Sequence, residues 1–346
     1  MKVAIFDIHP FEKTYIEEAF ANSKHQPVYI DQQLSERTWE LAKGYIAVCC
    51  FVNDQINEDV ICQLACRGTQ LIALRCAGFN NVDLHAAAVH GIKVVRVPGY
   101  SPHAVAEHAM GLVLCLNRKI HRAHQRVREL NFSLDGLVGF DMHGKTVGVV
   151  GTGKIGAAFA HIARGFGCRV LAFDQSVDVT LLALGNVEYC SLEKLMASSD
   201  VVSLHLPLTP STHHLVNKNV LSLMKSNALL VNTSRGELIQ ASSLIDALKL
   251  NKIAGAGLDV YEEEADIFFE DFSDIGVQDD VLARLLTFPN VIVTAHQGFL
   301  TREALTNIAQ TTVKNLDSYS VGSPLINEIS TQLQVKAGCD RHAVSG

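Results

Sequence analysis

TVGVVGTGKIGAAFAHIARGFGCRVLAFD, running from Thr146 to Asp174, decides how the chain is read. Val147 to Val150 is a short apolar run, the pattern of a buried strand. Gly151, Gly153 and Gly156 follow as G-x-G-x-x-G, Ile155 to Phe166 reads as a helix, and Arg169 to Phe173 reads as a second strand closed by Asp174. In that setting Gly151 permits a tight turn, Gly153 lets the backbone approach a pyrophosphate, and Gly156 lets helix and strand pack closely. The helix start, with Lys154 and Ile155, offers unpaired N–H groups and a partial positive charge to phosphate oxygens. Asp174 stands about twenty residues beyond the glycines, where a carboxylate accepts hydrogen bonds from a ribose 2′-hydroxyl and repels a 2′-phosphate. Glycines of an ordinary turn leave the acid at the next strand end unexplained. The stretch therefore predicts a dinucleotide site, and NAD rather than NADP.

At 346 residues, 48 % hydrophobic and 19 % charged, the chain has the length for two domains with substantial cores. A formal charge of −7, with no basic block, argues against nucleic acid or an anionic membrane as partner. MKVAIFDIHP reads as a strand with an acid inside it, not as a signal segment, and the apolar run from Met110 to Leu116 is too short for a membrane span. Nine cysteines, an odd number set mostly in apolar patterns, suit reduced thiols in a cytoplasmic protein. Cys62 with Cys66, and His121 with His124, are each close enough to share a helix face. Neither pair has further ligands at metal spacing, so no metal site is expected.

Upstream of the glycines, Val3–Phe6, Val28–Ile30, Ile46–Cys49, Leu71–Leu74 and Val94–Val95 are short apolar runs. Helical patterns near Glu12–Ala21, Glu36–Lys43, Asp59–Cys66 and Asp83–Val89 separate them. Strands alternating with helices predict a parallel sheet covered on both faces. Pro98 and Gly99 then break the chain, and Ser101-Pro102 is a helix start with its cap. A long helix to about Asn117 and a basic amphipathic one from Ile120 to Leu130 follow, and a loop from Asn131 to His143 leads into the glycine stretch. The final helix, Arg302 to about Tyr319, is expected to return to the first domain, and the tail from Gly322 onward carries few packing cues.

Downstream, strands predicted at Val201–Leu204, Ala228–Val231, Ile253–Leu258 and Val291–Thr294 end in Leu206-Pro207, Thr233-Ser234-Arg235, Asp259 and His296. Ligands of an open parallel sheet sit beyond the carboxyl ends of its strands, so these residues are expected at one edge with Gly151–Gly156. Their chemistry suits hydride transfer to a ketone. The alkoxide that forms needs a proton, and His is the side chain suited to donate one near neutral pH. A carboxylate from the Glu262, Glu263, Glu264 run supports such a His, and the planar guanidinium of Arg235 grips a substrate carboxylate with two hydrogen bonds. Taken singly, each has a plainer reading as a loop salt bridge, a solvated loop or a helix cap.

These residues also carry a resemblance. Arg75-Cys76-Ala77-Gly78-Phe79-Asn80-Asn81-Val82-Asp83, the glycine fingerprint, Asn232-Thr233-Ser234-Arg235-Gly236, Gly257-Leu258-Asp259-Val260-Tyr261 and His296-Gln297-Gly298-Phe299-Leu300-Thr301 resemble the D-specific 2-hydroxyacid dehydrogenase family. Asp266–Asp271 and Gln278–Asp280 resemble its bacterial fermentative D-lactate branch in particular. The resemblance implies an α/β protein of two doubly wound parallel-sheet domains. A flavodoxin-like substrate domain, residues 1–99 and 300–346, would hold an inserted Rossmann NAD domain, residues 100–299.

It further implies that Arg235 binds the substrate carboxylate, that His296 is acid toward a keto acid and base toward a hydroxy acid, and that Glu264, five residues after Asp259, supports His296. Ala265 stands where many relatives have Pro. Asp259 would position the nicotinamide, while Leu206, Pro207, Thr212, Thr233 and Ser234 would line the cofactor groove. Amides of Ala77 and Gly78 would meet the carboxylate, and Tyr100 and Phe299, with Phe51 a weaker candidate, would surround a small methyl group. Pyruvate and D-lactate are the expected pair, in a homodimer or homotetramer whose arm is the Pro102–Leu130 region. A bulkier 2-hydroxy acid, or NAD(H) sensing without catalysis, is the competing expectation.

Overall fold

The computed structural model describes residues 1–265 and 267–329. They form two compact units, one from Met1–Tyr100 with the chain from Arg302 onward, the other Ser101–Thr301.

The first unit runs β1 (Lys2–Ile5), α1 (Pro10–Ala21), β2 (Gln26–Tyr29), β3 (Ala47–Cys50), α2 (Glu58–Cys66), β4 (Leu71–Leu74), α3 (Leu84–Val89) and β5 (Lys93–Val95). Its five strands are parallel in the order β2-β1-β3-β4-β5. Every position of β3 and β4 is buried, because apolar clusters cover both faces of the sheet. Beyond the carboxyl ends of these strands lies Arg75, whose side chain is 1 % exposed. It donates to both oxygens of Glu12 at 3.0 and 2.8 Å and to the carbonyls of Phe6, Asp7 and Cys49, so its buried charge is fully partnered.

The second unit runs α4 (Pro102–Arg118), α5 (Ile120–Arg128), β6 (Thr146–Val150), α6 (Lys154–Gly165), β7 (Arg169–Phe173), α7 (Val179–Ala183), β8 (Val187–Tyr189), α8 (Leu192–Ser198), β9 (Val201–Leu204), α9 (Lys218–Leu223), β10 (Leu229–Asn232), α10 (Ala241–Lys249), β11 (Gly255–Leu258), α11 (Asp280–Leu286) and β12 (Val291–Val293). Its seven parallel strands lie in the order β12-β11-β10-β9-β6-β7-β8. The chain leaves β6 toward β7 and β8, then returns to the other side of β6 as β9, so the switch in strand order falls between β6 and β9. That is where an open α/β sheet binds its ligand. The chain then rejoins the first unit as α12 (Arg302–Ser320), which packs on α1 and β4.

One expectation needs correction. The predicted Glu36–Lys43 helix is only a single 3₁₀ turn, Trp39–Ala42, that buries Ala42 alone. With no apolar stripe to pack, a short helix has nothing to offset its nucleation cost. The periodicity also gives no sign of β8, whose three residues are too few to show alternation. The start of the tail, up to Ile329, is anchored to the first unit. Asn327 accepts from the Arg96 amide at 3.1 Å, Glu328 pairs with Val95, and Ile329 donates to Val94 at 2.9 Å. Asp266 and residues 330–346, with the tail glycines Gly338 and Gly346, lie outside the described residues. Among the described residues, no helix is long and apolar enough to cross a membrane.

Candidate active site

The carboxyl edge of the second sheet collects the expected cofactor residues. Gly151 follows β6 at φ +96°, where a Cβ would lie 2.4 Å from the His205 carbonyl oxygen. A Cβ on Gly156 would lie 1.9 Å from the Gly151 oxygen, so this glycine lets α6 nest on the turn. Gly153, the N-cap of α6, has nothing within 4 Å of its Cβ position, and Lys154 and Ile155 begin the helix. The two kinds of glycine therefore do different work: Gly151 and Gly156 accommodate protein, whereas Gly153 leaves room for something else.

Asp174, at the end of β7, accepts from the Thr152 amide at 2.6 Å and the Ser176 amide at 3.0 Å. Burial pushes its carboxyl up, but the Ser176 and Thr152 hydrogen bonds outweigh this and hold the pKa below the usual carboxylate value. Tyr189 on β8 steadies the same turn, donating to Thr152 Oγ1 at 2.9 Å. Nothing in the sequence spacing points to that tyrosine.

Leu206 and Pro207 follow β9. Thr212 donates to the Pro207 carbonyl at 2.7 Å and accepts from the Thr209 amide at 2.8 Å, so its hydroxyl ties its own loop together. Ser234 donates to the Leu204 carbonyl at 2.8 Å. Thr233 is buried after β10, and its hydroxyl has no partner among the described residues. An open glycine cap, an ionised carboxylate at the neighbouring strand end and an unpartnered buried hydroxyl fit a dinucleotide laid across the strand ends.

Chemistry collects on the β10, β11 and β12 side. Arg235 is held by a bond from its own Nη1 to the Ser234 carbonyl at 2.6 Å, and Asn232 donates to its backbone carbonyl. A Cβ on the next residue, Gly236, would lie 2.0 Å from the Tyr261 carbonyl, so the Arg235 turn nests against the chain leading to Glu264. Glu264 accepts from the Tyr261 amide at 2.8 Å, and its other oxygen lies 2.6 Å from Nδ1 of His296. Both side chains are partly buried.

His296 has φ +51°, a strained setting for a residue with a Cβ. Asp259 holds it there. The Asp259 carbonyl accepts from the His296 amide at 2.7 Å, and its carboxylate accepts from the amides of Gln297 and Gly298 at 2.9 and 2.8 Å. Thr294 Oγ1 donates to the same carboxylate at 2.6 Å, and Nε2 of His108 on α4 lies 3.2 Å away. Burial pushes the Asp259 carboxyl up, but the His108 and Thr294 hydrogen bonds and the nearby histidines hold it below its usual value. The resemblance implies that Asp259 positions the nicotinamide; its buried carboxylate accepts from the loop that carries His296. His108 and Thr294 were not among the expected site residues, and only their place in this network reveals them.

Phe299 stands edge-on to His296 with ring centroids 6.4 Å apart, and Phe269 is also near it at 6.2 Å. Ala77, Gly78, Tyr100 and Phe51 belong to the first unit, where Phe51 packs against the rings of His9 and Phe11. Among the described residues, no group of three or more His, Cys, Asp or Glu side chains is arranged to hold a metal ion.

The family model for the D-isomer specific 2-hydroxyacid dehydrogenase NAD-binding domain matches residues 110–298. The chain is 51 % identical to D-lactate dehydrogenase of Escherichia coli over 329 residues, 95 % of this chain and 100 % of that protein. The apo-structure of D-lactate dehydrogenase from Escherichia coli superposes with a TM-score of 0.87 at 49 % identity, over 95 % of this chain and all of that one. An NAD-complexed D-isomer specific 2-hydroxyacid dehydrogenase from Lactobacillus delbrueckii ssp. bulgaricus is 30 % identical with a TM-score of 0.78, over 95 % of this chain and 100 % of that one. This chain belongs to the D-isomer specific 2-hydroxyacid dehydrogenase family, a family of oxidoreductases, and its cofactor is NAD.

Proposed function

We propose that the protein reduces pyruvate to D-lactate with NADH, reversibly, as a cytoplasmic fermentative enzyme. The observation that carries this reading is the Glu264–His296 pair, set on the same sheet edge as Arg235 and the glycine turn. NADH, when bound, supplies the hydride. Arg235 grips the substrate carboxylate through its planar fork and turns the keto group toward His296. His296 donates a proton to the keto oxygen as negative charge develops there, and takes it back in the reverse direction. Glu264 fixes the imidazole orientation through Nδ1, leaving Nε2 for the substrate, and balances its charge. Ala77, Gly78, Tyr100 and Phe299 complete recognition of a small acid, the amides toward the carboxylate and the rings toward the methyl group.

The eight cysteines among the described residues are all free, which suits a reducing compartment. The segment after α4 supports self-association. Helix α5 buries none of its residues, and Leu130, Leu134 and Val138 beyond it are 78 %, 79 % and 82 % exposed. A run of apolar side chains so open to water fits a surface covered by a second copy. Sedimentation at micromolar concentration tests the dimer or tetramer; a monomer there removes that part.

The activity is tested by following NADH absorbance with a panel of 2-keto acids and resolving the product on a chiral column. D-Lactate as the preferred product supports the proposal. Preference for a bulkier acid, or NADH binding without turnover, replaces it.

A further inference from the structure

The loop Cys76–Phe79 follows β4 in the first unit, and its peptide groups are oriented in a consistent way. The Cys76 carbonyl accepts from the Val97 amide at 3.1 Å. The Ala77 carbonyl accepts from Nη1 of Arg96 at 2.7 Å. The Gly78 carbonyl accepts from the Cys76 thiol at 3.2 Å. A carbonyl and the next residue's N–H belong to one planar peptide. The anchors on Cys76 and Ala77 therefore fix the Ala77 and Gly78 amides, and neither amide donates to an acceptor among the described residues. The Arg96 guanidinium also lies over the Phe79 ring, 5.1 Å from its centroid.

Arg96 is itself clamped. Its amide donates to the Asn327 carbonyl at 3.1 Å, and its carbonyl accepts from Asn315 of α12 at 3.0 Å. Asn327 in turn donates to Asn315 Oδ1 at 2.9 Å. The segment that follows α12 thus secures the backbone of Arg96, and the Arg96 side chain secures the loop.

From this geometry we infer that Arg96 is a positioning residue for the substrate carboxylate, deepening the proposed reading of the Ala77 and Gly78 amides. It acts in two ways. It holds the Ala77–Gly78 peptide with its N–H turned away from the anchor. Its positive charge on the carbonyl also polarises that peptide, so the Gly78 N–H becomes a stronger donor to an anion. Arg96 touches neither substrate nor cofactor in this role.

The test compares Arg96→Met, which keeps an apolar stem over Phe79, with Arg96→Lys, which keeps charge and a donor. Arg96→Met should raise KM for pyruvate by roughly tenfold, the scale of one charge-assisted hydrogen bond, with kcat and NADH affinity within about twofold of wild type. Arg96→Lys, which keeps the charge and one donor toward the Ala77 carbonyl, should recover most of the loss. An Arg96→Met enzyme with normal KM, an Arg96→Lys enzyme no better than Arg96→Met, or equal losses in NADH affinity would overturn the inference. If the wild-type protein turns over no 2-keto acid, the proposed function fails by itself. The Gly78 amide chemical shift then still reads the anchor: a shift moved in Arg96→Met and restored toward wild type in Arg96→Lys supports it, and an unmoved shift removes it.

Discussion

Glu264 joins two parts of the chain through its two oxygens, one accepting from the Tyr261 amide at 2.8 Å and the other 2.6 Å from Nδ1 of His296. Glu264→Gln cannot reproduce both contacts. Its amide has one acceptor oxygen, so the NH₂ must face either the Tyr261 N–H or the imidazole. Loss of this support for a general acid should lower kcat by about 10²-fold, with a much smaller change in KM. Steady-state kinetics with pyruvate check it; a fall confined to KM would remove Glu264 from the acid–base pair.

Arg235→Lys should keep the positive charge but lose the fork. A lysine is shorter of donors in one plane and makes a point contact with a carboxylate. KM for pyruvate should rise by about 10²-fold and kcat should fall as the keto group loses its alignment. The same protein should bind NADH normally, as measured by fluorescence titration. Unchanged kinetics with pyruvate would remove Arg235 from substrate binding.

The strand-end residues were legible in the sequence because a parallel sheet turns strand order into position. Once Val201–Leu204, Leu229–Asn232, Gly255–Leu258 and Val291–Val293 are parallel neighbours, Pro207, Arg235, Asp259 and His296 must share an edge. The network behind them was not legible. His108 reaches Asp259 from α4, well over a hundred residues away in the chain, and no local pattern encodes that meeting. The Asn315–Arg96–Asn327 clamp was hidden for the same reason. Short elements such as β8 escaped because three residues carry too little periodicity to separate strand from loop.

Asp174 should decide between the two nicotinamide dinucleotides. Its carboxyl is held below its usual pKa by the Ser176 and Thr152 amides, so it stays ionised through the neutral range. A 2′-phosphate placed there meets a like charge. Asp174→Ala should weaken NADH and improve NADPH, narrowing the ratio of their kcat/KM values by about tenfold or more. Titration with both cofactors measures this; an unchanged ratio would mean that the discrimination lies elsewhere.

Buried His205 should set part of the acid limb of stability. Burial pushes its pKa down to about 3, its ring packs on Phe159, and Nδ1 has no partner among the described residues. In the unfolded chain the same imidazole titrates near its ordinary value of 6.5. Between those values the unfolded state binds the additional proton, so native stability falls as pH drops from about 6.5 toward 3 and is unaffected by this group above that window. The loss at pH 5 relative to pH 7 should be about 2 kcal/mol from this residue. Urea melts of wild type and His205→Gln at both pH values test it: the variant should lose less stability on acidification, whatever its absolute stability. Equal losses would show that His205 does not contribute.

Gly153 and Gly156 should separate cofactor binding from folding, although both belong to one fingerprint. A methyl group at Gly156 would meet the Gly151 carbonyl at 1.9 Å, a contact between two backbone segments that cannot both stay in place. Gly156→Ala should therefore displace α6 from β6 and cost several kcal/mol, on the scale of an overpacked core. Gly153 has open space around its Cβ position and φ −61°, a backbone that alanine adopts without strain. Gly153→Ala should leave the melting temperature within a few degrees of wild type. It should nevertheless weaken NADH binding by tenfold or more, because the added methyl occupies the space through which the backbone approaches the pyrophosphate. Calorimetric melts paired with NADH titrations decide the matter. If Gly153→Ala binds NADH as well as wild type, the open space at the start of α6 is not where the cofactor phosphates lie.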